Sequence, residues 1–394
     1  MVKKILIIGF GHHAKRIYYR VLEEHQKNYQ FLIVELKDQK KSIEKFFQNK
    51  KFTPTDILYL PQSKSVGKQS KSWLDTLDNF QKKYQAKGVI IATDPQYHPF
   101  YAVWAQKHAL PILMDKPISV HGRLSTDPSV SKKLISDYVQ LKKNHKKGDF
   151  FSIVSQRRFH PAFQKTRELI EEVFEKTKCP ITSIQITHSD GQWRLPNEII
   201  DIPYHSFDKG YGKCSHSGYH FVDILCYFLE PQNNSSKRAD NAEIYSTFVR
   251  PIDFIEQLTL SDYHRLFSGF KSYNSYTKNK LSQMVKKFGE IDAFINVSFK
   301  KADRIITVAS LNLIHNGFSQ RGTLFPNEDL YKGNGRVRHE SYIIEQGPFQ
   351  AIHIDSLQSQ ETNPSIKPGF EYGDEYHFDI HVFRNSAFNK KWKS

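Results

Sequence analysis

The sequence predicts two domains: a doubly wound α/β domain with a parallel sheet over residues 1–122, and an α+β domain with a large, mainly antiparallel open sheet over residues 123–394. Three observations carry this. The chain has 394 residues, more than one hydrophobic core ordinarily serves. Up to Pro117, short apolar runs alternate with helical patterns, the order of a parallel sheet wound with crossover helices. From Ala242 onward, alternating apolar and polar stretches recur with few helical patterns between them, the order of an antiparallel sheet.

Composition narrows the function classes. With 29 Phe and 20 Tyr there is ample apolar material to bury. The three cysteines, Cys179, Cys214 and Cys226, form no CxxC pair, which argues against a disulfide scaffold and suits a reducing compartment. The apolar part of the N-terminus, Ile5 to Ile8, is too short for a signal peptide, and no apolar run approaches the roughly 20 residues of a membrane span. A cytoplasmic protein without a membrane partner is expected. The formal net charge of +16 would concentrate anions, yet the lysines are scattered over 37–51, 132–147 and 278–301 as on solvated faces. No arginine–aromatic ladder marks a nucleic-acid groove. The charge alone names no partner; a small-molecule substrate, neutral or anionic, is expected rather than nucleic acid.

Lys4-Ile5-Leu6-Ile7-Ile8 reads as a strand buried on both faces, running into Gly9-Phe10-Gly11-His12-His13-Ala14 and a helix over 15–24. This is the G-x-G-x-x-A order of a Rossmann dinucleotide turn. Gly9 permits the tight turn, Gly11 a close approach of backbone to pyrophosphate, and Ala14 close packing of helix on strand. The helix start offers amide donors to the phosphates. The next strand, Phe31 to Val34, ends at Glu35, where a ribose-binding carboxylate belongs. Glu35 favours NAD, and the neighbouring Lys37, Lys40 and Lys41 leave NADP possible. Residues 36–86 are mixed and lysine-rich, with helical patterns at 43–47 and 73–84. A strand over 88–92 then leads to Ala92 and Thr93, a helix over 99–108 follows, and a strand over 111–114 ends in Asp115-Lys116-Pro117. A lysine at the end of a parallel strand points into the crevice where such sheets bind ligands.

Composition changes at His121, so the boundary is placed near 122, with a basic helix over 132–147 crossing between domains. A strand over 150–155 feeds Gln156-Arg157-Arg158-Phe159-His160-Pro161 and a helix through 175; a half-buried strand spans 181–188. The long stretch 189–213 carries Trp193, Arg194 and His205, which suit a polyol stacked on an aromatic ring and hydrogen-bonded by charged groups. Next comes Gly212 to Asp223, opening an apolar helix. His216 and His220 are four residues apart, with Asp223 three further on, so they can share a helix face, and Ser215 or Ser217 can cap it. Strands are expected at 242–249, 292–299, 304–314, 341–345, 349–354 and 376–383, interrupted by an insertion of undefined form at 258–290.

Taken together, these elements resemble the Gfo/Idh/MocA oxidoreductases, the family of glucose–fructose oxidoreductase and inositol dehydrogenase. The resemblance rests on Gly9-x-Gly11-x-x-Ala14, Ala92-Thr93 with His98 five residues on, Asp115-Lys116-Pro117, Arg157-Arg158-Phe159-His160-Pro161, and Gly218-x-His220-x-x-Asp223. It covers about residues 1–230. The chain departs from the family pattern in having Asp115 for Glu, Asp94-Pro95 for Pro-Asn, and His216 where an aspartate often stands four residues before the catalytic histidine.

The resemblance implies a cis bond at Lys116–Pro117 and a homodimer or homotetramer formed through the C-terminal sheet. It also implies an NAD(P)-dependent oxidoreductase acting on a secondary alcohol of a sugar, cyclitol or nucleotide sugar. His220 is the expected general base, Lys116 the group that stabilises charge on the reacting oxygen, and His216 a partner in orientation or proton relay. Gly9, Phe10, Gly11, His12, His13, Glu35, Ala92, Thr93, His98, Asp115 and Lys116 are expected at the cofactor, and Arg158, Trp193, Arg194, His205 and Asp223 at the substrate. Three alternatives stand beside this reading. They are a non-catalytic dinucleotide-binding regulator, a hydrolase of the same fold using tightly held NAD, and a metal site from Cys214, His216 and His220, although no metal is expected.

Overall fold

The computed structural model describes residues 2–61, 71–201, 206–267, 269–319, 336–360, 377–390 and 392. Its strands are β1 (Lys3–Ile8), β2 (Tyr29–Leu36), β3 (Asp56–Leu60), β4 (Gly88–Ile91), β5 (Ile112–Met114) and β6 (Phe151–Ile153), then β7 (Ser183–Ser189), β8 (Asn241–Val249), β9 (Asp292–Lys301), β10 (Arg304–Ile314), β11 (Arg336–Gln346), β12 (Gln350–Gln360) and β13 (His377–Arg384). The chain divides into two compact units. The first comprises residues 1–122 and 128–154, the second 123–127 and 155–394. The first unit thus continues past residue 122: the helix Ser131–Asn144 belongs to it, and β6 pairs with β5.

In the first unit the sheet runs β3-β2-β1-β4-β5-β6, every pair parallel. Strand β1 sits in the middle and is covered on both sides, which is why its sequence is continuously apolar. Leu6 and Ile8 face a core with Leu77, Ala102 and Trp104, while Ile7 faces Phe10, Tyr19 and Phe31. Strand order reverses at β1 and β4, the switch point where such sheets bind ligands. Two details differ from expectation. The lysine-rich stretch contains β3, whose Asp-Ile-Leu-Tyr-Leu is too short for its alternation to stand out, and the helix after the glycine turn is broken into His12–Arg16 and Tyr18–Glu24 at Ile17.

The second unit's sheet runs β13-β12-β11-β7-β10-β9-β8, antiparallel except for the β7–β10 pair. One face is covered by the helices Pro161–Thr177 and Tyr219–Leu229, whose Phe163, Ile170, Phe221, Ile224 and Phe228 share a core with Ile184, Ile186, Leu311, Leu313 and Tyr342. At its edge β8 is exposed almost throughout, Ile244 and Tyr245 included. The insertion between β8 and β9 is helical. One of its helices, Leu260–Leu266, starts on a capping box in which Thr259 and Asp262 bond each other's backbone N–H. No described helix is long and apolar enough to cross a membrane.

Candidate active site

The first unit presents a turn built from main chain. Gly9 has φ +88°, and a Cβ there would lie 2.6 Å from the backbone N and Cα of Thr93, so only glycine fits. At Gly11 the same construction meets nothing within 4 Å: the turn leaves open space beside its backbone. Ala14 is fully buried, as close packing requires. Glu35, at the end of β2, accepts hydrogen bonds from Phe10 N (2.6 Å) and Leu36 N (2.7 Å), locking the carboxylate to the turn. Beside it lies a cavity of about 240 Å³ lined by Gly9, Glu35, Leu36, Trp73, Thr93 and Tyr97. An open glycine cradle, a fixed carboxylate and an adjoining cavity suit a dinucleotide. The helix after the turn has only five residues, so positive charge there comes from the side chains of Lys15 and Arg16 more than from a long helix dipole.

Phe10 offers no side chain to such a ligand, since its ring packs with Tyr19, Phe31, Phe46 and Phe47. His12 is exposed, and His13 Nε2 lies 3.5 Å from Asp115 Oδ2. Burial lowers the His13 pKa and Asp115 opposes that shift. Ala92 continues the ladder of β4, its N–H donating to Ile8 O. The Lys116–Pro117 peptide is cis, as the resemblance implies. Fully buried His98 ties this loop to the strand end, Nδ1 at 2.8 Å from Pro117 O and Nε2 at 3.1 Å from Thr93 O. Burial depresses its pKa, so the ring is neutral and donates one of these two bonds. His98 is thus a brace beneath Lys116.

The second unit presents a turn built from buried charge. The helix Tyr219–Leu229 does not start at a capped end; a π-helical turn, Cys214–Gly218, runs into it and carries His216. Turns of this kind recur at functional sites. Neither serine caps the helix, whose N-cap is Gly218, and Ser217 Oγ instead donates to Asp190. Glycines fix both ends of the turn: a Cβ at Gly212 would lie 1.8 Å from Glu290 O, and one at Gly218 would lie 2.8 Å from Leu313 Cδ1. Glu290 accepts from Cys214 N at 2.9 Å. His216 packs against the rings of Phe207 and Tyr211 (centroids 5.5 and 5.6 Å away), and His220 against Tyr219. Among the described residues, Cys214, His216 and His220 do not form a set placed to hold a metal.

Asp223 does not gather with the histidines as their spacing suggested. Its carboxylate accepts both bonds of Arg158 Nε (2.8 and 2.9 Å), and Arg158 also donates to Glu230 at 2.7 Å. These two expected substrate contacts are therefore engaged with each other. Arg157 makes a bidentate pair with Glu340 at 2.5 and 2.6 Å and lies over the Phe221 ring. Trp193 packs on Tyr263 and Phe267, and Arg194 is 1% exposed. His205 lies outside the described residues.

What sequence reasoning missed is a four-residue network. Lys213, wholly buried, donates from Nζ to Asp190 Oδ2 (2.5 Å) and His188 Nδ1 (3.0 Å), and His315 Nδ1 lies 3.3 Å from the same carboxylate oxygen. Burial holds both imidazoles neutral: His315 is lowered to about 4 and His188 well below its ordinary range. Burial opposes ionisation of Asp190 most strongly, but Lys213 together with His188 and His315 more than offsets it and holds the carboxyl well below its ordinary range. A lysine in a turn otherwise made of small residues, just before an apolar helix, was the available signal.

No protein-family model matches the chain, and no curated protein sequence does either. Solved structures do. The WlbA dehydrogenase of Bordetella pertussis, solved with NADH and UDP-GlcNAcA, is 12% identical, and the match covers 93% of this chain and 85% of that one with a TM-score of 0.50. A probable dehydrogenase from Thermotoga maritima is 11% identical over 95% and 81% of the two chains, TM-score 0.51. The fold is that of the Gfo/Idh/MocA-type dehydrogenases. Myo-inositol 2-dehydrogenase from Lactobacillus plantarum shares it too, at 10% identity over 89% of this chain and 78% of the other, TM-score 0.50.

Proposed function

We propose that this protein is an NAD-dependent oxidoreductase acting on a secondary alcohol of a sugar, cyclitol or nucleotide sugar. The observation that carries the proposal is the glycine turn held by Glu35 beside an open cavity, in a fold shared with a dehydrogenase solved with NADH. Gly9, Gly11, His12, His13 and Thr93 line the path of the dinucleotide, and the Glu35 carboxylate binds its ribose and disfavours a 2′-phosphate. NAD, when bound, supplies the hydride acceptor. Lys116, braced by His98, hydrogen-bonds the reacting hydroxyl and stabilises its developing charge. His220 takes the hydroxyl proton, since an imidazole titrates near working pH. His216 orients the substrate, and Arg158–Asp223 steadies the helix that carries His220.

A screen of sugars, cyclitols and nucleotide sugars with NAD and NADP separately tests this by the absorbance of reduced nicotinamide. Turnover of at least one class with NAD supports it; NAD binding without turnover of any favours a non-catalytic regulator, for which His216 in the aspartate position is the motive. We further propose a homodimer formed through the exposed strand β8, whose unpaired edge and Ile244 and Tyr245 seek cover. Light scattering that gives one chain's mass at micromolar concentration rejects it.

A further inference from the structure

Among the described residues, Lys213 and Asp190 form a buried ion pair, with exposures of 1% and 7%. Removing both ions from water is expensive, and a well-packed apolar pair in their place is often as stable. Stability alone is therefore a poor account of this pair.

Its connections suggest another. One carboxylate ties together three separate elements. Asp190 follows β7, Lys213 and Ser217 belong to the turn that enters the 219–229 helix, and His315 follows β10. The partners fix the protonation states: Lys213 donates to His188 Nδ1, so His188 carries its hydrogen on Nε2, which lies 3.5 Å from Asp190 Oδ1. His315 donates from Nδ1 to Oδ2. The result is one cation, one anion and two neutral rings, with the carboxylate at the centre.

Lys213 and Ser217 flank His216 in sequence. Gly212, just outside them, lies against the Glu290 backbone in a contact that admits no Cβ, and Gly218 packs on the Leu313 side chain. The turn is thus held at its start by the Glu290 backbone and tied through Lys213 and Ser217 to Asp190. We propose that Asp190 is a positioning residue, a buried carboxylate that sets where His216 and His220 stand. The carboxylate that the resemblance expects at position 216 reaches this turn from the end of β7 instead. The inference rests on the reading of His220 as the base, so its test carries a readout independent of turnover.

The test uses the full chain, as Asp190→Asn and as the double variant Asp190→Asn with Lys213→Met, which removes both buried charges. The polyol scoring highest in the substrate screen is the probe for turnover. The His216 ring signal is the probe for position, because the Phe207 ring stands edge-on to it at 5.5 Å and shifts its resonance. Asp190→Asn is expected to lower kcat about 100-fold, the effect of displacing a reacting group by about an ångström, with the KM for NAD unchanged. Its His216 signal moves while that of exposed His25 does not. The double variant regains the wild-type melting temperature but neither kcat nor the His216 position. Wild-type kcat in Asp190→Asn, or recovery of the His216 signal in the double variant, overturns the proposal. If no polyol is turned over by the wild-type protein, the enzymatic reading fails, and the His216 signal alone decides the role of Asp190.

Discussion

The glycine turn of the first unit and the π-turn of the second solve the same problem with different materials. Each leads into a helix, and each has a glycine, Gly9 in one and Gly212 in the other, where a neighbouring backbone leaves no room for a Cβ. The first turn is held through its main chain, and the charged partner at its start, Glu35, serves to receive backbone N–H groups. The second is held by side-chain charge drawn from β7, β10 and the turn itself. A main-chain turn depends on few side chains. A charge-held turn is open to change by substitution, and one of the chain's three departures from the family pattern, His216, falls in it.

Substituting the two groups proposed for the chemistry produces the largest effect. His220→Ala lowers kcat by about 10²–10⁴-fold, the range for loss of a general base, and Lys116→Ala by a comparable factor. By calorimetry His220→Ala keeps wild-type NAD affinity and Lys116→Ala keeps measurable NAD binding, which separates chemistry from binding. Next in size, Arg157→Ala leaves Glu340, 4% exposed, without its bidentate partner. Chemical denaturation is expected to show a loss of about 3–5 kcal/mol.

Acid comes third. His98, His188 and His315 all have depressed pKa values in the folded protein. The unfolded chain therefore gains protons first as pH falls, and stability declines below about 6.5, the ordinary histidine value. His315, lowered to about 4, alone accounts for about 3 kcal/mol between those two values. His315→Asn reduces the slope of stability against pH across that window; an unchanged slope means the ring is not held neutral. Smallest is Gly9→Ala, which forces a Cβ residue to φ +88° against Thr93 and costs about 1–3 kcal/mol in strain. It also weakens NAD binding, whereas Gly212→Ala disturbs only the second unit.

The same contrast governs what was legible in the sequence. Gly9, Gly11, Ala14 and Glu35 could be read because their meaning lies in local spacing along strand, turn and helix. The alternating strands of the second sheet were visible for the same reason. Strand β3 was not, because five residues in a lysine-rich stretch give too short an alternation. The partners of the second turn were hidden by distance along the chain: Asp190 and His315 are 125 residues apart, Arg157 and Glu340 are 183 apart, and no spacing rule joins them. Arg158 and Asp223 looked like ligand contacts because charge near an apolar helix start reads that way, and only the structure pairs them with each other.

Transfer of a carbon-bound label gives the most direct test of the central claim. Each polyol of the screen is supplied with deuterium on its secondary carbinol carbons, incubated with the protein and NAD, and the nicotinamide is recovered for mass spectrometry. The account predicts deuterium on the nicotinamide ring with at least one polyol, abolished in His220→Ala. NAD that binds but returns unlabelled with every polyol contradicts it.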